Sequence, residues 1–425
     1  MIAWLLIAFF VLIGLGLPIA MSLGLAAMGG ILFLDGGSFV TVAQRMFEGM
    51  NSFALLAIPL YTFAGFTMSK GGISQRLMDF CYSIVGHFTG GLAHVNVLSS
   101  MIFAGISGSA VADTAGVSGM MMPQMVKKGY SKKLTVAVTA ISSTIGIIIP
   151  PSIPMVVIAG ILGISTGKLF LGGIIPGILL GIAQMIVSYF LAKKEGVPKE
   201  SGHTSIKEIL MNAWHSMPAL LMPIIIVGSI TTGLVSPTEA GAIAVVYGLI
   251  AGGLIYKELK WKDIQFAFFE TAKTSGKIFI IIGAAKLYTV MLTTAGFDKW
   301  VADTMLSISD NPTVILVIIL AIFFVVTMFM ESIATLTLFM PIIYPIAMAV
   351  GIDPVVMSVL ITVVIGIGLV TPPVGMCIYV ACDLMDMRVG QVMRTLMPYL
   401  GATFVVIALL IAFPQLILLP TFLMN

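Results

Sequence analysis

The sequence predicts an all-α polytopic membrane protein, and three observations carry that prediction. Of 425 residues, 59% are hydrophobic and 9% charged, with a mean hydropathy of +1.13; a soluble globular chain carries roughly 25% charged residues. Apolar residues run continuously over stretches such as 2–34, 169–191 and 314–330, near or beyond the ~20 residues of a spanning helix. These runs lack the apolar–polar alternation over about 10 residues that marks a membrane barrel strand. Backbone polar groups in the bilayer must be paired internally, so helices remain.

The elements follow in order. Residues 1–87 supply apolar helices, the first without a positively charged start, which reads as a retained helix and not a cleaved signal. Lysines cluster at Lys127-Lys128 with Lys132-Lys133, at Lys193-Lys194 with Lys199, and at Lys257, Lys260 and Lys262. The positive-inside rule places all three clusters in the cytoplasm. Parity agrees, with two crossings (about 134–164 and 169–192) between the first and second and two more (about 216–235 and 238–256) before the third. Asp298, Asp303 and Asp310 suit the outer side after a crossing at about 276–296, and Arg388 and Arg394 return the chain inside. Between them, Lys257–Lys277 interleaves charges with Trp261, Phe266, Phe268 and Phe269, the pattern of an interfacial amphipathic arm over 257–275.

Two apolar stretches are too long for single spans. Residues 88–126 and 312–350 each cover 39 positions, ~58 Å as one helix at 1.5 Å per residue, against a hydrocarbon core of ~30 Å. Each has small polar or acidic residues near its middle: Ser107-Gly108-Ser109 with Asp113, and Glu331-Ser332. Two full crossings of about 18 residues each would preserve the parity. The polar middles favour a re-entrant hairpin, since non-helical backbone at mid-depth must be buried in protein.

The chain also repeats at a constant offset of 222. Pro123 falls on Pro345, Gly129 on Gly351, Gly146 on Gly368, Pro150-Pro151 on Pro372-Pro373, and Pro176 on Pro398. With five crossings between Gly129 and Gly351, the copies are expected upside down relative to each other. Inverted repeats with a midplane site are a plan of secondary transporters. Each copy contains one hairpin and one helix interrupted at its diproline, over 132–165 and 353–385. Two successive prolines remove two backbone donors and clash with the preceding turn. Carbonyls at the negative end of the first half-helix suit a cation, and the N-terminus of the next favours an anion.

At these motifs the sequence resembles the large membrane subunit of tripartite ATP-independent periplasmic (TRAP) transporters. The stretches that carry the resemblance run Gly105-Ile-Ser-Gly-Ser-Ala-Val-Ala-Asp113, Gly146-Ile-Ile-Ile-Pro-Pro-Ser-Ile-Pro154, Ser236-Pro-Thr-Glu-Ala-Gly241 and Gly366-Ile-Gly-Leu-Val-Thr-Pro-Pro373. The resemblance covers essentially the whole chain. It implies sodium-driven import of a carboxylate such as a C4-dicarboxylate, sialic acid or another sugar acid. It also implies a separate small four-helix membrane subunit, a periplasmic substrate-binding protein, and an elevator in which a transport domain (88–168 and 312–390) moves against scaffold helices (1–87, 169–311 and 391–425). The setting implied is a bacterial inner membrane, with no cofactor beyond sodium as coupling ion and no nucleic-acid partner.

The candidate sodium neighbourhood is therefore Ser107, Ser109, Ser143, Gly146, Ile149, Pro150, Glu331, Ser332, Gly366, Gly368, Thr371 and Pro372. Ser109, Asp113, Ser152, Thr335 and Pro373 are the substrate candidates. Set against this are plainer roles: close helix packing for the serines, a kink for the diprolines, and an N-terminal capping box for Ser236 and Glu239. Lys286 reads as a snorkelling or paired residue, and Met120-Met121-Met122 as adaptable packing. His87, His94, His203 and His215 show no ligand spacing. Cys81, Cys377 and Cys382 suggest neither disulfide nor metal. No nucleotide loop or catalytic triad is present, so the chain reads as a non-enzyme. A passive anion channel, a differently coupled anion symporter and a membrane scaffold are the competing readings.

Overall fold

The computed structural model describes residues 1–34, 38–197 and 205–424. Lys199 and His203 lie outside them. The described residues form helices and no strand. The chain opens with α1 (Ile2–Gly14), α2 (Ile19–Leu34), α3 (Phe39–Met50), α4 (Ala57–Lys70) and α5 (Ile73–Val85). Next come α6 (Gly91–Ser107), α7 (Ala110–Lys127), α8 (Lys132–Ser143) and α9 (Ile153–Leu162). Long helices follow: α10 (Thr166–Glu195), α11 (Ile206–Thr231), α12 (Pro237–Ile250) and α13 (Trp261–Thr294), then the shorter α14 (Phe297–Ile308). The last stretch holds α15 (Pro312–Thr327), α16 (Ser332–Ala349), α17 (Pro354–Gly368), α18 (Met376–Asp383) and α19 (Val389–Ala412). Among the described residues, seven helices are long and apolar enough to cross a membrane.

Local chemistry sets the boundaries. Ser131, Ser165, Ser205, Ser236 and Asp353 each accept a first-turn backbone N–H, pairing donors that a helix start leaves orphaned. At Ser236 the predicted capping box is present: Glu239 accepts the Ser236 N–H at 2.7 Å, and Ser236 Oγ accepts that of Glu239 at 3.3 Å. Gly163 and Gly196 end α9 and α10 in the left-handed region, at φ +68° each, where a side chain would be strained.

The diproline steps interrupt their helices. After α8, a 3₁₀ turn (Thr144–Ile147) leads into non-helical chain until α9. Ser152 secures this break, donating to the Ile147 carbonyl at 2.5 Å and capping α9 through the Met155 N–H. In the second copy α17 stops at Gly368 and α18 begins at Met376. There Thr371 Oγ1 donates to Ile367 O at 2.7 Å, and the Cys377 N–H to Leu369 O at 2.9 Å. Both Pro-Pro bonds are cis. Every residue of α8 from Leu134 and of α17 from Val355 is buried, as expected of helices enclosed on all sides.

Helix boundaries recur at the offset of 222. The starts of α7 at Ala110 and α8 at Lys132 have counterparts in those of α16 at Ser332 and α17 at Pro354. Thr166, which opens α10, corresponds to Arg388, the cap residue just before α19. Packing also exchanges between copies: α16 lies on α9 as α7 lies on α18, and α8 on α19 as α17 on α10. Equivalent elements touch one another, α4 with α13 and α10 with α19. A Cβ on Gly366 would lie 3.3 Å from Cβ of Thr144, and these two residues are themselves 222 apart.

Most of the stretch expected as an interfacial amphipathic arm, 257–275, forms the first part of a longer helix. Trp261 opens a single helix that continues to Thr294, because no proline or turn sequence interrupts the backbone ladder before the expected crossing. Its 34 residues reach ~51 Å. Arg76 anchors the preceding loop: its guanidinium pairs with Glu258 at 2.7 Å and lies over the Tyr256 ring, 4.2 Å from the centroid. Burial pushes the Tyr256 phenol up to about 12, so it stays a neutral donor to His215 O at 2.8 Å.

Candidate ion and substrate site

The link between α6 and α7 is two residues long. Gly108 turns it at φ +63°, and Ser109 caps α7, accepting the Ala112 N–H at 3.4 Å. The Ile153 N–H, at the start of α9, donates to Gly108 O at 3.2 Å. A Cβ on Gly108 would stand 2.6 Å from Pro151 O. The first tip therefore seats directly on the first break, and only glycine permits both the turn and the approach.

Asp113 lies one turn into α7, and its side chain leans back toward the helix start. It is fully buried. Ser107 Oγ donates to its Oδ1 and accepts the Ser109 N–H at 3.2 Å. Oδ2 has no hydrogen-bond partner among the described residues. It abuts Gly146 in the 3₁₀ turn, where a Cβ would collide with the carboxylate. An unpartnered buried acceptor is costly, and this one faces interrupted backbone. That arrangement of oxygen donors fits a hard cation such as sodium.

The second tip is built alike with different chemistry. The Val374 N–H donates to Met328 O at 3.0 Å, joining the α15–α16 link to the second break. Gly368 packs against Thr327, where a Cβ would overlap its hydroxyl. Glu331 caps α16, accepting the N–H groups of Ile333 at 2.9 Å and Ala334 at 3.3 Å and the Ser332 hydroxyl at 3.0 Å.

A cavity of about 600 Å³ lies between the tips, bounded by residues 107–112 and 331–333, and is walled on another side by α4 and α13. Ser107, Ser109, Glu331 and Ser332 line it. Of the substrate candidates only Ser109 does so; Asp113, Ser152 and Thr335 are fully buried behind the lining, and Pro373 is exposed elsewhere. Among the ion candidates, Gly146 sits on Asp113 and Gly366 on Thr144. Pro150 is buried in the first break and Pro372 is half-buried in the second. Ser143 and Thr371 donate their hydroxyl protons to carbonyls four residues back, which leaves oxygen lone pairs to accept. Ile149 stands apart, its side chain filling the space beside Gly177 on α10. Sequence reasoning missed Gly65, Lys70 and Lys277. Gly65 lets α4 approach the first tip, a Cβ there lying 3.3 Å from Ser107 Cα, and both lysines line the cavity. Only the pairing of α4 with α13 reveals them.

Comparison with known proteins places this geometry. A family described as "Tripartite ATP-independent periplasmic transporter, DctM component" matches residues 6–416. The sialic acid TRAP transporter large permease SiaM of Vibrio cholerae is 36% identical over 95% of this chain and 94% of its own. The C4-dicarboxylate large permease DctM of Pseudomonas aeruginosa is 35% identical over 89% and 88%, and the 2,3-diketo-L-gulonate large permease YiaN of Escherichia coli 33% over 96% of each. Among solved structures the Alcanivorax borkumensis YdaH transporter shares the fold, with a TM-score of 0.61 at 14% identity over 90% of this chain and 89% of that one. The Neisseria gonorrhoeae efflux pump MtrF superposes at 0.58 over 90% and 85%, also at 14% identity. With a family match spanning nearly the whole chain, the protein belongs to the large permease components of TRAP transporters, and is a multi-pass bacterial inner-membrane transport protein, not an enzyme.

Proposed function

We propose that the chain carries out sodium-coupled import of a small organic acid, in the class of sialic acid, C4-dicarboxylates and related sugar acids, by an elevator mechanism. It works with a small membrane subunit and a periplasmic substrate-binding protein. The observation that carries this reading is Asp113, a fully buried carboxylate whose second oxygen faces the interrupted backbone at Gly146. A negative charge inside a bilayer is retained against a cost of about 2.5–3.5 kcal/mol, and a bound cation offsets it. Asp113 accordingly moves from the substrate candidates to the ion site. The substrate occupies the cavity beyond, against Ser109 and Ser332.

In this reading α6–α7 and α15–α16 are re-entrant hairpins, and α8–α9 and α17–α18 are their interrupted partners. The recurrence of boundaries at one offset, and the exchange of packing between copies, support two inverted repeats. They form a mobile unit over 88–168 and 312–390. The remaining helices brace it.

The test is uptake in proteoliposomes containing the permease, its small subunit and binding protein, with labelled sialic acid and a labelled C4-dicarboxylate. Accumulation is expected only under an inward sodium gradient. Uptake that is undiminished with sodium absent on both sides would replace this mechanism with a channel or another coupling ion.

A further inference from the structure

The cavity has two cationic groups that the ion site does not use. Lys70 ends α4 and Lys277 lies on α13, and both line the same void as the tip residues. Lys70 Nζ stands 4.7 Å from the centroid of the Phe266 ring, which meets Phe66 edge-on at 6.3 Å. That contact keeps the ammonium beside the cavity wall, and both lysines are exposed residues. Neither lysine forms an ion pair among the described residues. The lining includes one carboxylate, Glu331, already engaged by two backbone N–H groups and the Ser332 hydroxyl. The walls are thus largely apolar, with two ammonium groups on the α4–α13 side and no carboxylate free to neutralise them.

We propose that Lys70 and Lys277 form the seat for the substrate's carboxylate on the α4–α13 wall. This rests on reading the chain as an organic-acid permease, and adds which side of the cavity selects the anion. Lysines that merely reach toward the membrane surface would be indifferent to the charge of a solute inside the cavity.

The experiment replaces each lysine singly, as Lys70→Cys and Lys277→Cys, in the complete transporter. The native Cys81, Cys377 and Cys382 are buried, so the new thiol is the reactive one. First, the purified Lys277→Cys protein is modified with methanethiosulfonates of opposite charge. A sulfonate reagent is expected to react at least about 10-fold faster, relative to small free thiols, than a trimethylammonium reagent. Lys70→Gln in the same background should collapse that preference. Second, each cysteine variant should take up sialic acid or C4-dicarboxylate at least about 10-fold more slowly at subsaturating concentration. An aminoethyl reagent, which rebuilds an ammonium, should restore uptake, whereas the sulfonate reagent should not. Equal modification rates, or the same response to both reagents, would overturn the seat. Anion preference in a protein whose unmodified form imports neither acid would uphold the seat and count against the transport reading.

Discussion

Gly146→Ala is expected to abolish sodium-driven uptake, with a fall of at least about 100-fold. The added methyl would occupy the space of the Asp113 carboxylate, with Ala110 Cα in van der Waals contact at 3.5 Å on the same side. The carboxylate does not give easily, because Asp113 is tied to Ser107. Overpacking a filled interior costs about 1–3 kcal/mol, enough to displace the carboxylate from the turn without unfolding a chain this size. Gly119→Ala is the control: it lies on α7 with Asp113, and a Cβ there meets nothing within 4 Å. Uptake by Gly119→Ala should match wild type. Wild-type rates in Gly146→Ala would mean that the approach of Asp113 to the 3₁₀ turn plays no part in transport.

The second large effect belongs to Asp113→Asn. The amide keeps the side chain's shape, and its carbonyl oxygen still accepts the Ser107 hydroxyl. What disappears is the charge. Interactions between charges strengthen as the local dielectric falls, so the sodium concentration for half-maximal uptake should rise at least about 30-fold. Thermal stability in detergent should hold or increase, since an uncompensated buried charge is removed. Ser109→Ala removes a neutral cap and a cavity hydroxyl, so its effect should fall mainly on half-saturation by the organic acid. An unchanged sodium dependence in Asp113→Asn would remove this carboxylate from the ion site.

Much of this architecture was legible in the residues, for reasons that differ by element. Diprolines declare a helix break wherever they stand, because the missing donors and the steric clash are local. Ser107-Gly108-Ser109 and Glu331-Ser332 announce tips because a short turn needs glycine or a capping side chain. The depth of Asp113 behind its tip was not legible. It depends on how α7 rotates against the turn at Gly146, a tertiary relation that spacing does not encode. For the same reason spacing does not show that the substrate candidates Ser152 and Thr335 also hydrogen-bond local backbone. Ser152 bridges a break, and Thr335 Oγ1 donates to Glu331 O at 3.1 Å. Over 257–275 charges interleave with aromatics, but composition does not say whether a helix stops where its polarity changes. Lys70 and Lys277 become neighbours of one void only after α4 and α13 pack.

The contact between Thr144 and Gly366 joins a position to its own counterpart. If the halves are the inverted repeats proposed above, such a point lies on the twofold axis that relates them, and a displacement made there by one half is transmitted to the other without any intervening relay. We extend the proposed reading to a second ion at the Gly366–Pro372 break, where the candidate sodium residues also fall; occupancy of the first pocket then alters the wall of the second. Sodium activation should then be sigmoidal, and Gly366→Ala should flatten it toward a hyperbola while leaving each pocket's donors in place. A hyperbolic wild-type curve would mean that the two halves fill independently.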